Sequence, residues 1–433
     1  MCSRPPAPMS LFNSGLEKRL GNKIWVSHVF VPTLWDAKKY ESNSLFFNLF
    51  SSIDIVFIFK GVLSLVALIF AYDGIVGERE RGTLRLVLAY PVRRGQLLLA
   101  KYISAMVCLF IPLLLCLFFA ILLLIMAPSL SLSADEFLRL GGVVLASVAY
   151  LSVFYLIGLL ISAAVRRTNT ALILSIFVWG FLVLIYPNLI LAEVVPQRDI
   201  QERRYTAFNH IQQVWDDVDR QRKQYLSNDD IKGEDPNFNL RFQVGVSSDP
   251  RTRVFRTTLL SYHLHRNHLL ELSEKSKPLV PHVQKYYHFL ENLIIRTATR
   301  VWHIRKQALE DIFVQPATTH QKFLKLFPSG QYDAATQALA GTNLEGIQDF
   351  FGAVRQYRET VIDYFYAKEA FESPQWFTAD QGAVDWHTLP QFSYQSPKVW
   401  TYLKQAIPDI ALLVTTSIIL FGVSYLLFIK SDV

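Results

Sequence analysis

At 433 residues, with 51% apolar and 18% charged residues and a mean hydropathy of +0.24, the chain is too apolar for an ordinary soluble protein and too polar to lie wholly within a membrane. That balance predicts a bundle of spanning helices joined to at least one sizeable soluble domain, and the net charge of +7 does not argue for nucleic acid, because much of the excess lies beside apolar segments, where it marks the cytoplasmic side. The three cysteines, Cys2, Cys108 and Cys116, exclude a disulfide framework, since the last two fall inside an apolar stretch.

Residues 1–51 read as a polar, irregular segment without the continuous apolar run of a cleavable signal. Its short IWVSHVFVP run is too brief to span and could supply a strand or an edge packed on a neighbouring domain. Five apolar spans follow, at about 52–72, 104–126, 141–164, 171–192 and 408–429, each near the roughly 20 residues that a crossing helix needs. The loop after the first carries Arg79, Arg81, Arg85, Arg93, Arg94 and Lys101, and the loop after the third carries Arg166 and Arg167. The loop after the second has no basic residue before Arg139. By the positive-inside rule the first and third loops and the tail with Lys430 are cytoplasmic. Residues 1–51 and a large insert at 193–405 then lie outside, and the odd number of spans predicts a further spanning helix upstream of Met1.

The insert is helical in period. Residues 201–226 repeat Tyr205, Phe208, Ile211, Val214, Val218 and Tyr225 at helical spacing, 282–313 do so with Tyr286, Leu290, Ile294 and Val301, and a third pattern runs over 344–371. The fold class expected is all-α: a polytopic helical membrane domain (52–192 and 406–433) with an extracytoplasmic helical domain (193–405).

The segment Tyr72 to Lys101 is the most distinctive. Asp73 and Thr83 are candidate helix caps, Gly77 and Gly82 interrupt helix, and Leu84, Val87 and Leu88 share a face. Pro91 ends that helix. The pattern predicts a helix along the cytoplasmic interface whose polar side displays Glu78, Glu80, Arg81 and Arg85. Read alone, it is better taken as a juxtamembrane positive loop that only sets topology. GERERGTLRLVLAYPVRRGQLLLAKY, however, resembles the signature of the membrane subunit of type-2 ABC exporters, matching at Gly77, Glu78, Glu80, Gly82, Thr83, Leu84, Pro91, Val92, Arg94 and Lys101. The large insert before the last span, with LFPSGQYDAATQALAGTNLEGIQDFF and QWFTADQGAVDWHTLPQFSY, looks like the subgroup with a large extracytoplasmic helical domain.

The resemblance implies that Gly77, Glu78, Glu80, Arg81, Gly82, Thr83, Arg85, Pro91, Arg93 and Arg94 seat in a groove of a separate ATPase. Two ATPase copies would bind the ATP and magnesium, a second permease chain would complete a homodimer or heterodimer, and the setting would be a bacterial inner membrane with the insert facing the periplasm or exterior. The chain itself has no G-x-x-x-x-G-K-[ST] loop, H-E-x-x-H or G-x-S-x-G motif, so no cofactor, metal site or catalytic residue is expected in it. The cargo is not legible. The competing reading is a membrane-anchored sensor or scaffold without transport activity.

Two further groups stand out. Asp54 and Lys60 fall in the first span, about 9 Å apart along a helix axis, and intramembrane charge is a functional signal, so Lys60 is a candidate transport-pathway residue. His263, His265 and His268 cluster in the insert without a completing cysteine or carboxylate, which favours plain surface or core histidines over a metal site.

Overall fold

The computed structural model describes residues 2–4, 8–15, 23–26, 28, 31–33, 54–89, 93–126, 133–187, 189, 197–228, 242–246, 262–266, 280–372 and 386–430. Five helices in it are long and apolar enough to cross a membrane. The first, α1 (55–72), consists of Ile55–Ile58, a π-helical turn Phe59–Leu63 and Ser64–Tyr72. Two short helices follow, α2 (Val76–Glu80) and α3 (Thr83–Ala89). The next three spans are α4 (Arg94–Met126), α5 (Ala134–Ala164) and α6 (Thr168–Ile185), the last closing in a π turn over Phe181–Ile185.

The insert then supplies α7 (Gln197–Asn228), α8 (Val280–Leu309), a π turn Glu310–Val314, α9 (Gln315–Leu324), α10 (Pro328–Ala340) and α11 (Leu344–Ala367). The last span is α12 (Val399–Lys430). The chain is thus nearly all helical, as expected. Among the described residues two small antiparallel ladders are the exception: β1 (Cys2–Ser3) on β2 (Lys23–Ile24), and β3 (Phe242–Val246) on β4 (Tyr262–Arg266).

The third span is the hub. In α5 72% of the most apolar stretch is buried, against 17–39% in the other four, so α1, α4, α6 and α12 keep apolar flanks turned outward while α5 is enclosed among them. Its start is fixed by a capping box, with Ser133 and Glu136 each satisfying the other's backbone amide. Close approach of α1 follows from Gly158, where the Leu68 backbone and Ala71 occupy the place of a side chain.

The insert does not stand apart from the spans. α10 packs against α5 and α12, with Tyr332 and Ala335 joining the same core as Leu68, Tyr150, Phe154 and Leu413. Its helix ends at Gly341, whose φ of +70° closes the turn. Two guanidinium groups meet the electronegative carbonyls there, Arg139 on Leu339 at 2.6 Å and Arg4 on Gly341 at 2.8 Å.

The N-terminal segment belongs to the same body. Cys2 and Ile24 pack with Leu344, Ile347, Phe350 and Val354 of the insert, Arg358 donates to the His28 carbonyl at 2.6 Å, and Arg305 donates to Thr33 at 2.9 Å. The edge role expected of IWVSHVFVP is what its described residues show. Along α7 the predicted stripe holds at Ile211 and Val218, but Tyr205 is exposed and Trp215, which the periodicity left out, is buried in its stead. In α8 Tyr286, Leu290, Ile294 and Val301 are buried, and Thr297 bends back onto the Leu293 carbonyl at 2.7 Å.

Candidate functional site

The block after the first span folds as a helical hairpin braced on one side. Its first two amides, Ile75 and Val76, both donate to the Ser162 hydroxyl of α5 at 3.0 Å, in a fully buried position. Arg79 reaches the Val165 carbonyl at 3.3 Å, and Glu80 accepts from the amide and hydroxyl of Thr168 at the start of α6. The hairpin is therefore tied to the turn between the third and fourth spans.

Two charge pairs complete the bracing. Asp73 pairs with Arg81 at 2.6 Å, and Glu78 pairs with Lys101 of α4 at 2.5 Å. Gly77 is needed where it stands, because a Cβ there would lie 1.6 Å from the Asp73 carboxylate. Gly82 turns the chain at φ +72°, the left-handed region in which glycine carries no Cβ penalty. Thr83 donates to the Glu78 carbonyl at 3.2 Å across that turn. Leu84 then buries itself against the spans, and Arg94 closes the far end by donating to the Phe428 and Ile429 carbonyls at 3.1 and 2.8 Å.

The outward side carries Glu80, Arg81, Thr83, Arg85, Leu86 and Arg93. Glu78 departs from the expectation of a displayed acid: it is half-buried and faces Lys101, because a carboxylate at this rim finds a cation on the adjoining span. Gly77 is likewise buried. Leu86 was not singled out by the sequence reading; among the described side chains of the hairpin it is the most exposed large apolar one, at 69%. Its signal was a leucine off the Leu84–Val87–Leu88 face. Pro91 lies outside the described residues.

Asp54 and Lys60 part company. Asp54 caps α1, accepting from the Phe57 amide at 2.8 Å and from the amide and hydroxyl of Ser14, each at 3.2 Å. Lys60, in the π turn, forms an ion pair with Asp333 of α10. Sequence reasoning missed Asp333, which lies 273 residues away in a stretch with no strong apolar period. Of the histidines, His263 and His265 fall in β4, opposite Gly245 and Gln243, and His268 lies outside the described residues. No group of three metal-ligating side chains occurs among the described residues.

One mixed groove of about 480 Å³ lies in the insert between α7 and the end of α8, lined by Glu202, Arg203, His210, Gln307 and Asp311 among others. It is open and its polar side chains are largely exposed, so it lacks the convergent buried groups of a ligand site.

Comparison with known proteins bears on the membrane half first. Residues 16–228 match the ABC-2 family transporter protein model, and residues 298–395 match a domain of unknown function (DUF3526). The probable ABC transporter permease protein NosY of Stutzerimonas stutzeri is 35% identical over 138 residues, covering 31% of this chain and 49% of that protein. The protein of the same description from Pseudomonas aeruginosa is 58% identical over 43 residues, 10% of this chain and 16% of its own. The chain thus spans at most about half the length of these curated relatives. With five helices apolar enough to span and the ABC-2 family transporter match over residues 16–228, which hold the first four of them, the chain is a multi-pass membrane protein whose spanning half is similar to the permease subunits of type-2 ABC transporters.

Proposed function

We propose that the chain is the membrane half of an ATP-driven exporter, and that the hairpin over 73–89 is the surface on which a separate ATPase pushes. The observation that carries this reading is the hairpin's two-sided character. Ser162, Val165, Thr168 and Lys101 fix its inner side to three spans, while Arg81, Arg85, Leu86 and Arg93 remain outward. A force applied to the outer side is passed to α4, α5 and α6 as nearly rigid bodies, which is what alternating access requires.

ATP and magnesium would sit in the partner, in two copies facing a pair of permease chains. The sidedness follows from charge. Arg79, Arg81, Arg85, Arg166, Arg167 and Lys430 all belong to the hairpin end, which supports a cytoplasmic hairpin and an insert, with the N-terminal segment packed on it, that faces the periplasm or exterior of a bacterial inner membrane.

The test is co-expression with the cognate ATPase. Arg85→Glu with Leu86→Ser should abolish co-purification of the ATPase while leaving insertion and thermal unfolding of the permease unchanged. Glu80→Ala, which frees the hairpin from Thr168, should leave binding intact and lower transport-coupled hydrolysis. Full ATPase binding and transport in both variants would refute the assignment and leave the sensor reading standing.

A further inference from the structure

The contact between α10 and the spans is made through a polar stripe. Ser329, Tyr332, Asp333 and Thr336 recur at helical spacing, and each is bonded outside its own helix. Ser329 donates to the Leu182 carbonyl at 2.9 Å, Tyr332 shares a 2.8 Å hydrogen bond with Ser147, Asp333 pairs with Lys60, and Thr336 accepts from Asn13 at 2.9 Å. Both π turns of the spans lie at this contact: Phe59–Leu63 contains Lys60, and Phe181–Ile185 contains Leu182. A π turn displaces carbonyls from the regular ladder, and here the displaced groups take side-chain donors.

The wall that α10 covers is polar in its own right. The Lys60 carbonyl accepts from the Tyr150 hydroxyl at 3.0 Å and from the Ser64 hydroxyl at 2.5 Å, and Ser64 accepts from the Trp179 ring nitrogen at 3.0 Å. Were α10 merely glued to the bundle, small apolar residues would serve better, since a desolvated ion pair is seldom more stable than apolar packing of the same volume. Nor is the pair sealed, with the Lys60 side chain 16% and the Asp333 side chain 31% exposed. A lysine in an apolar span needs an anion, and this one takes it from the insert, not from a neighbouring span.

We propose that Lys60, with Ser64, Ser147, Tyr150 and Trp179, forms an anion-accepting cargo site in the outer half of the spans, that α10 closes it, and that Asp333 stands in for the cargo's anionic group. Cargo of this class carries a carboxylate, phosphate or sulfonate together with hydrogen-bonding groups, and it takes the place of Asp333 on Lys60 when α10 withdraws. This rests on the transport reading for its purpose, but the site itself does not depend on the ATPase.

The test uses the full chain in membrane vesicles, with Cys2→Ser, Cys108→Ser and Cys116→Ser as background and Ser147→Cys as reporter. The probes are an anionic (ethylsulfonate) and a cationic (ethyltrimethylammonium) methanethiosulfonate, each normalised to its rate with a free thiol. With Asp333 present the reporter should react slowly. Asp333→Asn should raise its reaction with the anionic probe at least about tenfold, the lower end expected when a partly exposed, solvent-screened charge contact is removed from a two-state closure. The cationic probe should lag behind, and adding Lys60→Met should erase the preference. Asp333→Glu should stay slow, and the apolar pair Lys60→Met with Asp333→Leu should close again.

Ser175→Cys, fully buried in α6, is the folding control and should stay unreactive throughout. If Asp333→Asn exposes it too, the deciding arm is the chain with Asp333 intact, co-purified with its ATPase, in which ATP turnover should raise anionic labelling of Ser147→Cys. Unchanged labelling in Asp333→Asn, or equal rates for the two probes, overturns the proposal. Where the Ser175→Cys control also reacts, hydrolysis without any gain in labelling overturns the proposal and leaves the coupling reading intact. Where that control stays unreactive and Asp333→Asn labels with the anionic preference, the site stands, and labelling that never responds to ATP refutes the coupling reading alone.

Discussion

Replacing Ser162 with alanine tests whether the hairpin is held by the third span or merely rests on it. The Ser162 hydroxyl accepts from two consecutive amides, Ile75 and Val76, each at 3.0 Å, and Ser162, Ile75 and Val76 are all essentially inaccessible. These amides open a helix, so no backbone carbonyl of α2 can replace the lost acceptor. Ser162→Ala leaves both donors buried and unpaired. At about 1–3 kcal/mol for each such group, and allowing partial relaxation toward the cytoplasmic rim, the penalty is about 2–3 kcal/mol. That energy falls on local opening of the hairpin, which should become roughly 30- to 150-fold more frequent. Hydrogen–deuterium exchange of peptides covering 73–89, in nanodiscs, reads this directly, with peptides from α5 as the internal control. The span itself should stay protected, and coupled ATP hydrolysis should fall. Unchanged exchange at 73–89 would refute the claim that this hydroxyl anchors the hairpin.

Gly77→Ala drives a methyl into the Asp73 carboxylate and displaces the Asp73–Arg81 pair, at a cost of about 1–3 kcal/mol in thermal unfolding, and Asp73→Ala in the same chain should recover most of it. Arg139→Met removes the donor to the Leu339 carbonyl and the cation lying 4.0 Å over the Tyr402 ring, so about 2–4 kcal/mol of stability should be lost, measurable by denaturation in detergent. In the insert, burial pushes the Asp219 carboxyl up, but hydrogen bonds and charge from Lys223 and Arg222 outweigh it and hold it below the ordinary carboxylate value. Its contribution is therefore complete above the unfolded value of about 4 and is lost as pH falls through the lower folded value. Exchange protection of α7 should be flat from about pH 7 to 5 and decline below about pH 4, and Asp219→Asn should remove that decline.

Much of the membrane half was legible because its signal is the solvent itself: hydrocarbon demands long apolar helices, and all five expected spans are there, with α4 and α12 running several residues past the apolar window. The hairpin was legible through its glycines, threonine and acids, whose spacing reflects a sharp turn and a fixed set of partners. Which side each acid faces was not, since the inward turn of Glu78 depends on Lys101 of the next span. α10 was the larger omission. Its apolar residues are mostly small, Ala335, Ala338 and Ala340, and its polar stripe faces the bundle, which inverts the pattern of a surface helix. Asp333 could be found only by asking what neutralises Lys60, a question that sequence spacing leaves open.

The stitching of the N-terminal segment sets an order of events in biosynthesis. Arg4 bonds a carbonyl 337 residues later, and the carbonyl of His28 takes its donor from a residue 330 positions on. At about 5–20 residues per second, the partners of this segment leave the ribosome some 15–65 s after it does. Until then Cys2 and Ile24, both buried in the finished molecule, lack Leu309, Leu344, Ile347 and Phe350, the insert residues they pack against. The nascent chain must therefore carry an exposed apolar strap for most of its own synthesis, and the insert cannot be a finished domain before the strap comes home.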